Sequence, residues 1–371
     1  MSQSLAWRWT VPVVLAVALP VGSWIGRLRP TPDVPTLPGA TPAQIATRAA
    51  GAHTQPRSGS FVLSTGLGLG DLGTSGAVGG AGLVGLSAGT VEARVWSDGG
   101  GRSRVAQIKP LEETDWIRNG ATAWVWQSRS TTAVRVNSPG GFDLPAQGVL
   151  TAVAGTSTPV PTPEELAARL LVLRDRATEL SLGPPRRIAG RPAFDLVLTP
   201  RSASSLIARV EVAVDSSTGL PLEVSVQPRG GGRVIRDRYT SISFVEPAAS
   251  NFGFRPPAHA NVAEAATVNA ATAVRGERDQ QEGRRLRRRD FGGPPSIALR
   301  GTGWDEVVVA SGIDAWRFRD VLRAGTPVSG SFGHGLLLRT RAFSVIALDD
   351  GRVVAGAVTP QRLEAVISDG A

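Results

Sequence analysis

The run from Val91 to Val136 constrains the fold more than any other stretch, because it dictates short antiparallel strands joined by tight turns. Val91-Glu92-Ala93-Arg94-Val95-Trp96 alternates small apolar with large or charged side chains at period two, the pattern of a half-buried strand. Asp98 and Gly99 to Gly101 make a turn, since glycine reaches positive φ at little steric cost, and Arg102 to Ile108 is the returning strand. A second hairpin comes next: Asp115 to Arg118 and Ala121 to Ser128 flank Asn119-Gly120, the pair favoured in a two-residue type I′ turn. Trp96, Trp116, Trp124 and Trp126 all fall in this meander, four of the chain's nine tryptophans. Each indole buries roughly 150–250 Å², so a large apolar partner lies against the sheet. Either the indoles pack under a helix as ordinary core, or part of the concave face is left for a lipid. Spacing alone does not separate the two.

The helices that would cover this sheet are legible from their first turns. Thr41 caps a short one with Pro42 at its first position and Ile45, Ala46 and Ala49 as its apolar stripe. Thr162 caps a stronger one, predicted over 163–181, in which Glu164 and Glu165 complement the positive N-terminal dipole. Leu166, Leu170, Leu173, Ala177 and Leu180 recur at helical spacing, and Gly183 with Pro184 and Pro185 ends the helix. Further strands read at Phe61–Leu63, Ala193–Leu198, Ile207–Val214, Pro221–Val226, Val234–Tyr239 and Ile242–Val245. Short strands at hairpin spacing with two covering helices give an α+β chain: an open antiparallel β-barrel, or half-barrel, with helices over its concave face.

The remaining stretches set the domain order. Arg8 and Trp9, the apolar run Val11 to Ile25, and Arg27 and Arg29 make residues 1–29 a signal peptide or membrane anchor, and Pro-rich 30–40 is a linker. The barrel domain takes 41–262. Inside it, Ser64 to Gly89 is Gly-rich and apolar with Asp71 as its one charge. Its leucines, Leu67, Leu69, Leu72, Leu83 and Leu86 among them, are costly to leave in water, so a flap over the apolar face competes with a poorly ordered insertion. An Ala/Arg-rich linker covers 263–290. A small α+β unit fills 291–371, with strands at Val307–Ala310, Leu336–Thr340, Phe343–Leu348 and Val353–Val358, and a last helix from Pro360.

Composition removes several classes of function. There is no cysteine, which excludes structural disulfides, thiol chemistry and an acylated N-terminal cysteine. His53, His259 and His334 are scattered, without the i,i+4 spacing of a metal site, so no metal or other cofactor is expected. Phe332-Gly333-His334-Gly335 lacks the Gly-x-x-x-x-Gly-Lys pattern of a phosphate loop. Asp98, Asp115 and Asp215 sit at turns, where carboxylates cap local backbone. No catalytic constellation emerges. The net charge of +9 is almost all arginine, with Lys109 the one lysine, and export makes nucleic acid a poor partner for it.

Four groups of residues carry a family resemblance: Val95-Trp96-x-Asp98-Gly99 with Arg104-Val105; Ile117-Arg118-Asn119-Gly120 with Trp124; Val214-Asp215 with Thr218-Gly219-Leu220-Pro221; and Phe252-Gly253-Phe254-x-Pro256-Pro257. Their order over about 41–262 resembles the actinobacterial branch of the LolA/RseB-like superfamily, which contains a lipoprotein carrier and a lipid-responsive anti-sigma regulator. The resemblance implies an open barrel with helices over a cavity for acyl chains, and it transfers no ligand residue. Taken with it, Trp96, Trp124, Trp126, Leu166, Leu170 and Leu173 are the expected cavity lining. The expected partners are acyl chains or a lipoprotein, the membrane through the N-terminal segment, and a membrane protein if the chain is a regulator. A carrier, an RseB-like sensor and an envelope hydrolase are the three functions open at this point, all extracytoplasmic.

Overall fold

The computed structural model describes residues 37, 39–66, 89–137, 160–174, 178–265, 296–311 and 325–369. All belong to the second of the chain's two compact units, residues 37–371. The apolar run Val11 to Ile25 and the flap leucines Leu67, Leu69, Leu72, Leu83 and Leu86 lie outside the described residues. Among the described residues no helix is long and apolar enough to cross a membrane.

Twelve strands make one sheet. They are β1 Arg57–Thr65, β2 Gly89–Ser97, β3 Arg102–Lys109, β4 Glu112–Asn119, β5 Thr122–Gln127, β6 Thr132–Asn137, β7 Thr178–Ile188, β8 Arg191–Pro200, β9 Ile207–Asp215, β10 Pro221–Pro228, β11 Ile235–Ser243 and β12 Asn261–Ala265. Their order is β12-β6-β5-β4-β3-β2-β1-β11-β10-β9-β8-β7, antiparallel throughout except that β12 runs parallel to β6. β12 and β7 remain free edges, so the sheet is open. It is also strongly curled, because β7 and β11 meet although three strands separate them in the ladder.

Two helices cover one face, here the inner face: α1 Pro42–Gly51 and α2 Pro163–Val172. Both begin on a capping box, Thr41 with Gln44 and Thr162 with Glu165, each with proline at the first position. Ile45, Ala46 and Ala49 of α1 and Ala167 and Leu171 of α2 pack on Leu196, Leu198, Val210, Val212, Val224 and Val226. The helices' main sheet contacts are with β7, β8, β10 and β11.

Several sequence expectations change in register or length. α2 stops at Val172, and the next element is the strand β7. The reason is local: Leu180 and Leu182 alternate at period two and face Leu198 and Leu196, while Pro184 and Pro185 sit at a register shift on an edge strand, where a missing N–H is tolerated. In the β4–β5 hairpin Asn119 pairs with Thr122, so Gly120 and Ala121 form the loop. Only Gly120 has positive φ there (+62°), the pattern of a type II′ turn and not of type I′. Val234–Tyr239 and Ile242–Val245 form one strand, β11, irregular where it passes Ser60 and Phe61. Strand also continues to Ala265, where a linker is expected from 263.

A second sheet holds β13 Ser296–Arg300, β14 Val307–Ser311, β15 Thr326–Gly330, β16 Gly333–Arg339, β17 Ser344–Leu348 and β18 Val353–Gly356, in the order β13-β14-β18-β17-β16-β15. The helix α3, Pro360–Asp369, seats Leu363, Val366 and Ile367 on Val307, Ile346, Leu348 and Val354. This small unit is docked, not loosely tethered. Trp304, Ala342 and Phe343 enter the core under α1 and α2, the Trp304 Nε1–H donates to Thr178 Oγ1 at 2.9 Å, and Leu206 N donates to Ala357 O at 2.8 Å.

Candidate functional site

Alternation assigns every side chain of the sheet to a face. Phe61 and Leu63 of β1 face Ala93 and Val91 of β2. One pair further on, Val95 opposes Val105, Val105 opposes Trp116, Trp116 opposes Val125 and Val125 opposes Val134. All of these share the inner face with Tyr239, which opposes Phe61 with ring centroids 6.0 Å apart. One row of the inner face of β2–β6 is therefore apolar, Val95, Val105, Trp116, Val125 and Val134, buried except for the half-buried Val105; it lies between a polar row, Gln107, Thr114, Gln127 and Thr132, and the row of Ser97, Ser103 and Arg118, and neither helix makes its main contacts there.

α2 stands at the border of this region, held by a buried polar lock. Arg57 Nε and Nη2 lie 2.7 and 2.6 Å from Glu164 Oε1, and the Tyr239 hydroxyl donates to Glu164 Oε2 at 2.9 Å. Burial opposes the charge on Arg57, but the Glu164 carboxylate beside it more than compensates and strengthens its hold on the proton. Burial and then the same carboxylate push the Tyr239 phenol well above its ordinary range. Glu164 thus spends its charge on a strand 107 residues away in sequence.

Two buried polar groups on this face stand out for having no hydrogen-bond partner among the described residues. Asp237, fully buried on β11, has no hydrogen bond at either carboxylate oxygen. Its pKa is raised well above the ordinary value, by burial first and then by the charges of Glu164, Glu165 and Glu223. The Trp116 indole is 6% exposed and its N–H has no acceptor. Among the described residues no cluster of three or more His, Asp or Glu could hold a metal ion.

The structure separates the residues expected to line one cavity. Leu166, Leu170 and Leu173 lie half-buried along α2 against the core, flanking its buried positions Glu164, Ala167 and Leu171. Trp96, Trp124 and Trp126 are on the other face, opposite Arg104, Ile117 and Asp115 respectively. There Phe254 sits 5.4 and 5.9 Å from the Trp124 and Trp126 rings, and the Arg104 guanidinium lies 5.5 Å over Trp96. Trp116 is the one tryptophan of the meander that the inner face receives. The sequence carried a signal for this, since Trp116 and Trp126 fall on opposite faces once the hairpin register is set by Gly120. Asp237 was readable too: Ile235, Asp237 and Tyr239 alternate with Arg236 and Arg238. The Arg57–Glu164 pair had no local signal.

No protein-family model matches the chain, and no curated protein matches it. Among solved structures it is similar to MucB in its complex with MucA from Pseudomonas aeruginosa, at 20% identity over 88% of this chain and 96% of that one, TM-score 0.43. It is also similar to LprF from Mycobacterium bovis (9% identity, 60% and 100% of the two chains, TM-score 0.31) and to a LolA superfamily protein from Nitrosomonas europaea (12%, 58% and 99%, TM-score 0.24). These are likenesses of chain course, and no residue role follows from them.

Proposed function

We propose that the chain is an extracytoplasmic lipid-binding protein that holds an acyl chain against the inner face of β2–β6, beside α2. The observation that carries this reading is one row of the inner face: a continuous apolar strip of Val95, Val105, Trp116, Val125 and Val134 across five strands, to which neither helix is mainly applied. At its centre the Trp116 N–H is a donor without an acceptor, suited to an ester or carboxyl oxygen of the bound molecule. In this reading the half-buried leucines of α2, which pack on the core of β7–β11, border the bound chain at one end. A chain of about 14 methylenes offers up to about 11 kcal/mol at about 0.8 kcal/mol per group. The cost of ordering it leaves micromolar binding, about 8 kcal/mol.

The test is a titration of the full chain with cis-parinaric acid below its micelle concentration. Saturable micromolar binding is expected, weakened about tenfold or more by Leu170→Arg and unchanged by Leu111→Arg, whose side chain is fully exposed. Absence of saturable binding by the unmutated chain would leave the inner face as ordinary core.

A further inference from the structure

On the outer face of the curled half, three guanidiniums meet over one carboxylate. Glu223 of β10 is fully buried. Its Oε1 accepts from Arg186 Nη1 at 3.2 Å and Arg236 Nε at 3.3 Å, its Oε2 accepts from Arg236 Nη2 at 3.2 Å, and Arg238 Nε stands 3.6 Å away. Arg186 belongs to β7 and the other two to β11. Arg238 is paired directly with Glu223 in the β10–β11 ladder and Arg236 lies diagonally from it, while Arg186 reaches the same acid because β7 curls round to meet β11. Arg186 Nη2 also donates to Asp195 Oδ1 at 2.6 Å, and Arg209 and Arg233 flank the cluster on Glu211 at 2.9 and 3.5 Å.

The arrangement is layered by charge. The three carboxylates are sunk, at 0% for Glu223 and 8% for Asp195 and Glu211, whereas the five arginine side chains keep between 23% and 47% of their surface. What solvent meets is cationic, five guanidiniums over three carboxylates. Each guanidinium has five N–H donors, and the hydrogen bonds of Arg186, Arg236 and Arg238 use only a few of them. Neutralising Glu223 and Asp195 needs two cations, and three are present.

Protein interfaces draw affinity from desolvated aromatic and apolar anchors. Arg102, Arg104, Arg135 and Arg191 stack on rings, but among the described residues Arg186, Arg236 and Arg238 do not. Partly exposed planar guanidiniums, converging without an apolar anchor, match the oxygens of a phosphate group. We propose that Arg186, Arg236 and Arg238 form a phosphate site that docks this face on the headgroups of an acidic phospholipid surface. The site lies on the face opposite the proposed acyl-chain surface and does not depend on it.

The experiment is sedimentation of the full chain with phosphatidylcholine vesicles, with and without phosphatidylglycerol, at about 0.1 M salt, where the screening length is about 10 Å. Phosphatidylglycerol should raise the bound fraction, and Arg186→Gln/Arg236→Gln/Arg238→Gln should remove that increment by about tenfold or more. Binding to phosphatidylcholine alone, which reports the apolar N-terminal run and the acyl-chain surface, should not change. Near-UV circular dichroism verifies the triple variant's packing, and the single Arg186→Gln, which leaves Arg236 on Glu223, should show a partial loss. Glycerol phosphate should compete with the vesicles more strongly than inorganic phosphate does. Equal binding by variant and native chains overturns the proposal. So does saturation by inorganic phosphate without vesicle binding, and so does competition by polyglutamate alone, which points to an acidic protein.

Discussion

The two halves of the twelve-stranded sheet obey the same period-two pattern and come to different ends. In β7–β11 both faces are covered. β10 buries Val224 and Val226 inward under α2 and Glu223 and Ser225 outward under arginines. In β2–β6 the inward apolar row is mostly buried without either helix as its main partner, and the outward side chains divide: Trp96, Arg104, Trp124 and Trp126 stay half-exposed behind Phe252 and Phe254, whereas Ala106, Asp115, Ile117 and Ala133 are buried. The difference teaches that strand alternation fixes only which side chains share a face. What a face is for depends on what packs on it.

The largest effect should come from breaking the lock between the halves. Glu164→Ala leaves Arg57 charged and buried, and should cost about 3–5 kcal/mol in a denaturant titration. The pair Arg57→Met with Glu164→Leu should recover most of it. A loss of under about 1 kcal/mol for Glu164→Ala would mean that α2 is not held there.

Next in size is a contrast between the halves. Leu196→Ala, fully buried under α1 and α2, should cost about 3 kcal/mol, within the usual range for a core leucine. Phe254→Ala removes one ring from Trp124 and Trp126 and should cost about 1–2 kcal/mol. Equal losses would erase the proposed distinction between a core half and a strapped half.

Smaller, and opposite in sign, is the effect of Asp237. Its folded pKa is raised, so the folded state keeps a proton that the unfolded state releases above about pH 4. Stability due to this group therefore falls as pH rises from about 4 toward the raised value. Asp237→Asn should flatten that decline, match the native chain below about pH 4 and exceed it at pH 7 by about 1–2 kcal/mol. Parallel pH profiles for the two chains would show that Asp237 has partners.

Much of the fold was legible because it is written locally. Thr41 and Thr162 announce α1 and α2, and the hairpins from Val91 onward appear, the second with its loop one residue later than Asn119-Gly120 implies. The sequence makes α2 look longer than it is because Leu173 and Leu180 satisfy a helical spacing, while Leu180 and Leu182 equally satisfy a strand facing Leu198 and Leu196. Tertiary pairing chose the strand. For the site, tryptophan density pointed to the meander, but density carries no face; only the register of the pairs separates Trp116 from Trp124 and Trp126. The Arg57–Glu164–Tyr239 lock and the reach of Arg186 to Glu223 are products of curling, and no window of sequence contains them.

The central claim is that a bound acyl chain lies on the inner face of β2–β6 and not on the outer aromatic face. Quenching of indole emission by a brominated fatty acid tests it directly, because bromine quenches only at short range. In the full chain, saturable quenching should persist in Trp124→Phe/Trp126→Phe and should fall clearly in Trp116→Phe. Quenching that survives Trp116→Phe and vanishes with Trp124 and Trp126 would place the lipid on the outer face and contradict the account.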